Sequence, residues 1–376
     1  MSLLSFWEKE TYYADSDIAI IGGGLMGLWT ALELKKQVPS LKITILERHV
    51  SPLGASTRNA GFACFGSLTE LLSDEAKMGT DAMLQIVAMR FKGIEKIKST
   101  INPNAIDLDL CGGYEPLLNY SGAADLDVQI QYLNGLLAPI TGIANSFVNA
   151  TNQIDSIGLK NIDQLIYNPL EAGIHSGKLV NALTKLAISN GIRILNGIEI
   201  TGWDENNQGV ILQTNHPVKL TAGQLVVCTN GFTNAVLPQL NIEPARGQII
   251  LTKPIAGLKT KGTFHFDEGF YYWRNIGDQI LLGGARNADF EAERTTDLTG
   301  SDFIRNRLVE FLHLHLNTNQ PIEIEQSWSG IMGFTPNKLP LCETVSTNVV
   351  AAIACNGMGV ALTPIMAEHV TNLLLQ

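Results

Sequence analysis

The sequence predicts an α/β fold, α+β over the whole chain, and three observations carry that prediction. Asp17–Arg48 reads as strand, glycine turn, helix and second strand, the start of a parallel sheet. Residues 242–285 alternate like antiparallel strands. The chain has 376 residues, more than one core usually supports, so two domains are expected. Composition narrows the class further. Charged residues are 16% of the chain and the net charge is −10, with no basic tract, which argues against nucleic acid as a partner. The cysteines at 64, 111, 228, 342 and 355 form no C-x-x-C pair, the pattern of reduced thiols in a cytoplasmic protein. The opening MSLLSFWEKETYY lacks the basic and apolar regions of a signal peptide. No apolar run reaches the length of a membrane span, so no integral membrane segment is expected. No internal repeat or low-complexity segment is visible.

The first unit sets the architecture. Ile18–Ile21 suits a strand buried on both faces. Gly22, Gly24 and Gly27 follow as G-x-G-x-x-G, with Leu25 and Met26 between the last two. Gly22 permits a tight turn, Gly24 lets the backbone approach a pyrophosphate, and Gly27 lets the helix pack on the strand. The helix start offers free N–H groups and a positive dipole end to that pyrophosphate. Pro39 ends the helix, and Ile43–Leu46 forms a second buried strand. Glu47 closes it, about 20 residues past Gly27, where a carboxylate accepts hydrogen bonds from a ribose diol, with Arg48 beside it. These parts together make a dinucleotide site.

Residues 51–67, SPLGASTRNAGFACFGS, form a small-residue loop just beyond that acidic strand end. Its G-A-S-x-R-N-A-G resembles the loop of the D-amino-acid oxidase superfamily of FAD enzymes, which includes glycine, sarcosine and γ-glutamylputrescine oxidases. The resemblance implies that Ser56, Thr57 and Arg58 serve the phosphates and ribityl chain. It also implies that Asn59, Ala60, Gly61 and Phe62 lie along the flavin.

Further elements follow in order. Helical spacing runs from Asp81 to Thr100 and stops at Asn102-Pro103-Asn104. Gly112–Leu118 reads as a strand and 124–137 as a helix. Residues 168–200 resemble the family's turn, long helix and strand, with the adenine edge near Ile200 and His175 in the loop before the helix as a cap or core residue. Gln224–Gly231 is a buried strand ending in Thr229, Asn230 and Gly231 at the expected crevice, and Cys228 reads as core. In the antiparallel stretch, alternation separates Tyr271 and Trp273 on one face from Tyr272 and Arg274 on the other. Asp302–Leu316 is helical; His313 and His315 point to different faces, so no metal site is expected. SWSGIMGFTPNKLPLC, with Gly330 and Gly333, resembles one closing flavin segment. ACNGMGVALTPIMAEHV, with Asn356, Gly357, Met358, Gly359 and Val360, resembles the other.

The resemblance implies a Rossmann-like FAD-binding domain with a mixed parallel sheet, over residues 1–89, 155–240 and 325–376. A smaller substrate domain with an antiparallel sheet and helices is expected over 90–154 and 241–324. Where the family carries arginines for a substrate carboxylate, this chain has Met332 or Thr335 and Gly357 or Met358. Ala361 and Leu281 stand where sarcosine oxidase has its carboxylate and oxygen-activating lysines. Gly330 stands at its flavin-linking cysteine, so non-covalent FAD is implied. The expected reaction is oxidation of a C–N bond in a small amine or amino acid by hydride transfer to flavin N5, giving an imine that hydrolyses. The electron acceptor, oxygen or a quinone or another, is open. Tyr271 and Arg286 are the expected pocket residues, with core filling as the other reading for Tyr271. The alternatives are a 2-hydroxy-acid dehydrogenase using His265 or His175 as base, and a flavin- or nicotinamide-binding protein without turnover.

Overall fold

The computed structural model describes residues 4–118, 123–353 and 355–376. The chain divides into two compact units, 1–57 with 177–244 and 332–376, and 58–176 with 245–331.

The first unit is built on an eight-stranded mixed sheet. Its parallel centre runs Val349–Ile353, Leu220–Val227, Ser16–Ile21, Ile43–Glu47, Arg193–Asn196. Antiparallel strands Leu341–Ser346, Gly209–Thr214 and Ile200–Asn206 extend it. Ile18, Ile20, Ile43 and Ile45 are all buried, as a strand covered on both faces requires. Helices Leu25–Gln37 and Gly359–Leu374 pack on one another. Both begin at the strand ends where the glycine-rich segments lie.

The second unit carries another eight-stranded sheet. Its strand order is Ile324–Phe334, Glu243–Thr252, Gln279–Gly284, Tyr271–Ile276, Thr263–Phe266, Gly113–Leu117, Gln164–Asn168, Val148–Asn149. Pairing is antiparallel through its middle, apart from the parallel pair Thr263–Phe266 with Gly113–Leu117. Helix Asp302–His315 covers one face, burying Ile304, Leu308, Phe311 and Leu312 against Phe264, Trp273, Ile280 and Leu282.

The boundaries differ from those expected from sequence. Residues 58–89 and 155–176 belong to the second unit, which makes it the larger of the two rather than the smaller. The reason is packing. Phe65, Leu68 and Leu71 share one core with Met83, Val87, Leu126, Leu133 and Phe147, and about 25 cal/mol per Å² of apolar burial binds that segment to its neighbours.

Candidate functional site

In the first unit the glycine turn forms a cradle that side chains would fill. A Cβ on Gly22 (φ +110°) would lie 2.6 Å from the Cys228 carbonyl oxygen, and one on Gly24 would lie 2.7 Å from Ser56 Oγ. One on Gly27 would lie 2.1 Å from the Gly22 carbonyl oxygen. Gly24 caps the Leu25–Gln37 helix without a side chain, so the first-turn amides face the turn, and Leu25 N–H donates to Ser56 Oγ at 2.9 Å. The Gly359–Leu374 helix also starts without a side-chain cap, beside Asn356 and Gly357 at positive φ. These two helix starts are positive dipole ends suited to an anion or a carbonyl oxygen.

The buried Glu47 carboxylate accepts from the Gly23 and His49 N–H groups, both at 3.0 Å, so it orders the glycine turn as well as closing its strand. The Arg48 guanidinium lies 4.0 Å from the centre of the Phe232 ring. Thr57 Oγ1 donates to the Pro52 carbonyl at 2.7 Å, so this hydroxyl shapes its own turn. Thr229 Oγ1 bonds Thr233 Oγ1, and Asn230 Oδ1 is buried without a partner beside Gly333, whose Cβ would lie 2.9 Å away. Asn356 Oδ1 accepts from Thr335 N–H at 2.9 Å. Ile200, expected at the adenine, is buried in the core with Ile198 and Leu212.

In the second unit, the strip Arg58–Phe62 is held at several points. Arg58 Nη1 donates to the Ser329 carbonyl at 2.8 Å, next to Gly330, and Trp328 Nε1 donates to the Arg58 carbonyl at 3.1 Å. Arg58 Nε is buried with no partner, an orphaned donor that an oxygen-rich ligand chain would satisfy. Gly61 N–H donates to Asn59 Oδ1 at 2.9 Å. Ala60 packs with Ile249 and Leu281, flanked by Phe62, Leu251, Tyr272 and Trp328.

Tyr271 stacks on Phe311 with centroids 4.5 Å apart and 14° between planes, and Trp273 stacks on Phe264 at 4.8 Å and 7°. Tyr271 therefore faces the Asp302–His315 helix and packs, partly buried, against the core beneath it. Its neighbour Tyr272 lies on the opposite face, against Phe62. The Tyr272 ring lies over Gly283, where a Cβ would sit 2.4 Å away. Burial pushes the Tyr272 phenol up to about 12, partly offset by the nearby Arg286 cation, so the hydroxyl is a neutral donor. Arg286 sits 5.6 Å from the Phe270 ring centre and 5.1 Å from that of Phe290. The glycine directly opposite Tyr272 was the available sequence signal for this residue.

A cluster that sequence reading missed lies on that same face. His265 Nε2 and Glu171 Oε2 are 2.9 Å apart, and Thr263 Oγ1 donates to the same oxygen at 2.8 Å. Cys64 Sγ completes a trio of ligand-type atoms within 4.8 Å of one another, all buried. Burial alone would lower the His265 pKa; the Glu171 charge and the bonds to Cys64 and Glu171 win and hold it well above the usual value. Burial raises the Cys64 thiol, so the cluster is a thiol, an imidazolium and a carboxylate in one chain of hydrogen bonds. Cys64 and Glu171 are 107 positions apart in the chain and Glu171 and His265 are 94 apart, so no local motif announces them.

The family described as FAD dependent oxidoreductase matches residues 17–373. "Probable oxidoreductase OrdL" of Rhizobium meliloti is 26% identical over 92% of this chain and 80% of its own. The L-2-hydroxyglutarate dehydrogenase of Escherichia coli is 25% identical over 79% of this chain and 72% of its own. The glycine oxidase of Geobacillus kaustophilus is 23% identical over 86% of this chain and 83% of its own. Its solved structure shares the fold with a TM-score of 0.72 over 96% of this chain and 95% of that one.

Proposed function

Because the chain belongs to the family of FAD-dependent oxidoreductases, we propose that it oxidises a C–N bond in a small amine or amino acid. Bound FAD supplies the hydride acceptor, and the protein supplies position and electrostatics. The first unit's cradle suits the nucleotide half: Gly22, Gly24 and Gly27 leave room for a pyrophosphate, and Glu47 takes the ribose. Asn59, Ala60, Gly61 and Phe62 form the strip for the ring, with glycine at 330 consistent with FAD held without a covalent link.

One observation carries the choice of substrate class: the patch of side chains packed around Tyr272 is apolar, and the Tyr272 phenol is neutral. Phe62, Ile249, Leu251, Leu281 and Trp328 exclude water there, and Tyr272 offers one hydrogen bond. A neutral amine, whose lone pair drives loss of the hydride, suits such a patch. At the family's arginine positions Met332 and Gly357 are neighbours, since a Cβ on Gly357 would lie 3.9 Å from Met332 Sδ, and they offer no cation to a carboxylate. Arg286, close enough to act on the Tyr272 phenol, is the anchor left for one. The relative that acts on L-2-hydroxyglutarate favours a second reading, a 2-hydroxy-acid dehydrogenase. That reaction needs a base for the hydroxyl proton, and His265 is buried with Nε2 engaged by Glu171. Among the described residues no helix is long and apolar enough to cross a membrane. A cytoplasmic location rests on the scattered thiols.

Anaerobic titration of the purified protein with a panel of amines, amino acids and 2-hydroxy acids tests the reading. Bleaching of the flavin by an amine or amino acid is expected; bleaching by hydroxy acids alone selects the second reading. Acid precipitation should leave the flavin in the supernatant, and flavin in the pellet refutes the non-covalent link. Tyr272→Phe should lower kcat/KM about tenfold, one hydrogen bond's worth, with the melting temperature kept. Tyr271→Phe should leave kcat/KM near wild type; the reverse outcome returns Tyr271 to the pocket. Glu47→Ala removes a charge-assisted bond worth about 1.5–3 kcal/mol, so FAD should bind roughly ten- to a hundredfold more weakly by fluorescence titration. Unchanged affinity would remove Glu47 from the site.

A further inference from the structure

We infer that Arg274 is a positioning residue for the Asn59–Phe62 strip, fixing the Gly61 peptide from behind and giving the strip a positive potential. The inference rests on the reading that the flavin ring lies along that strip. Arg274 is 8% exposed in the strand Tyr271–Ile276. Its Nη1 donates to the Gly61 carbonyl at 2.7 Å and to the Ile174 carbonyl at 3.0 Å, and Nε reaches the Asn275 carbonyl at 3.4 Å. These partners are backbone carbonyls, and Cys111, Asp109 and Asp107 act on the guanidinium through space. A cation bonded to neutral acceptors keeps its field, and that field is strong where water is excluded.

The surrounding chain is shaped around this guanidinium. A Cβ on Gly173 would lie 2.3 Å from Arg274 Nη2, so a side chain there would displace the guanidinium. The Gly61 carbonyl, at a residue with φ +73°, receives Ile174 N–H at 2.8 Å as well as Arg274. Asn59 Oδ1 receives Gly61 N–H at 2.9 Å and the Ser176 hydroxyl at 2.5 Å. The peptide between Gly61 and Phe62 is therefore fixed on its carbonyl side by a charge and a backbone amide. A ring that gains negative charge on reduction is favoured next to such a cation.

Two measurements test the two parts of the inference. Sulfite adds to the oxidised flavin ring and places negative charge on it, so its affinity for the FAD-loaded protein reads the local potential. Arg274→Met should weaken sulfite binding by about tenfold or more, and Arg274→Lys, which keeps the charge, by no more than about threefold. Amide exchange at Ile174, measured on protein without added FAD, reads the positioning. Both variants should raise it, because neither side chain bridges two carbonyls. Gly173→Ala, which displaces the guanidinium and leaves its charge, should raise it too and replaces Arg274→Met if that variant does not fold. Equal sulfite affinity in wild type and Arg274→Met, or equal losses in the Met and Lys variants, overturns the electrostatic part. Unchanged exchange at Ile174 overturns the positioning part. A wild-type protein that takes up no FAD refutes the cofactor reading instead, while the exchange result still decides the positioning.

Discussion

Gly27→Ala is expected to strip the protein of FAD and to destabilise its first unit. The added methyl would sit 2.1 Å from the Gly22 carbonyl oxygen and 3.2 Å from Ile20 Cγ2. The first of these is backbone in a residue at φ +110°, so no rotamer change relieves the clash. The helix Leu25–Gln37 must then back away from the strand Ser16–Ile21, which carries its uncapped amides away from the pyrophosphate position. Overpacking of this kind costs about 1–3 kcal/mol in stability. The loss of cofactor should exceed it, because every contact of the turn depends on that spacing. Gly54→Ala is the control: a Cβ there meets no atom within 4 Å, and its φ is ordinary. Flavin content after gel filtration, with the melting temperature of each variant, decides the matter. Full flavin content in Gly27→Ala would show that the helix start does not hold the cofactor.

Glu171→Gln should be the most destabilising change in the second unit. The carboxylate is 1% exposed, bonded to His265 Nε2 and Thr263 Oγ1, and packed so tightly that a Cβ on Gly113 would lie 2.2 Å from its Oε2. Removing one partner of a buried pair leaves the other charge uncompensated and costs about 3–5 kcal/mol. At about 2–4 °C per kcal/mol for a domain of this size, the melting temperature should fall by several degrees or more. The pH dependence has a definite sign. His265 titrates well above its ordinary value in the folded protein, so the pair's stabilisation is complete below that ordinary value and is lost as pH rises through the raised one. In Glu171→Gln the Glu171 charge no longer opposes the burial of His265, and that burial favours the neutral ring and makes the variant weakest in acid. The difference in urea stability between wild type and variant should therefore be largest at acidic pH and shrink at alkaline pH. A difference that stays constant with pH would mean that the imidazole is neutral throughout and that the pair carries no charge.

Much of this was legible in the sequence for a local reason. The nucleotide cradle is written in consecutive residues, since a strand, a three-glycine turn, a helix and an acidic strand end each have their own short-range signature. The strands Ser16–Ile21, Ile43–Glu47, Tyr271–Ile276 and Gln279–Gly284 and the helices Thr80–Thr100 and Asp302–His315 were equally readable, because hydrophobic period separates two from 3.6. The unit boundaries were not, because Phe65 and Leu68 join the core of Met83 and Leu126 by contacts that no local pattern encodes.

By itself the sequence determined that Tyr271 and Tyr272 point to opposite faces of one strand, and that a glycine turn at Gly22–Gly27 joins a buried strand to a helix. Only the tertiary structure decided what each of the two tyrosines packs against. Alternation with a period of two is symmetric between the faces of a sheet, and the symmetry is broken by what packs on each. Phe311, in a helix some forty residues further on, covers Tyr271, whereas Phe62, from a loop far upstream, meets Tyr272. The meeting of Cys64, Glu171 and His265 and the pinning of Gly61 by Arg274 have the same origin. Both join residues from distant parts of the chain whose spacing is set by the sheet rather than by the sequence.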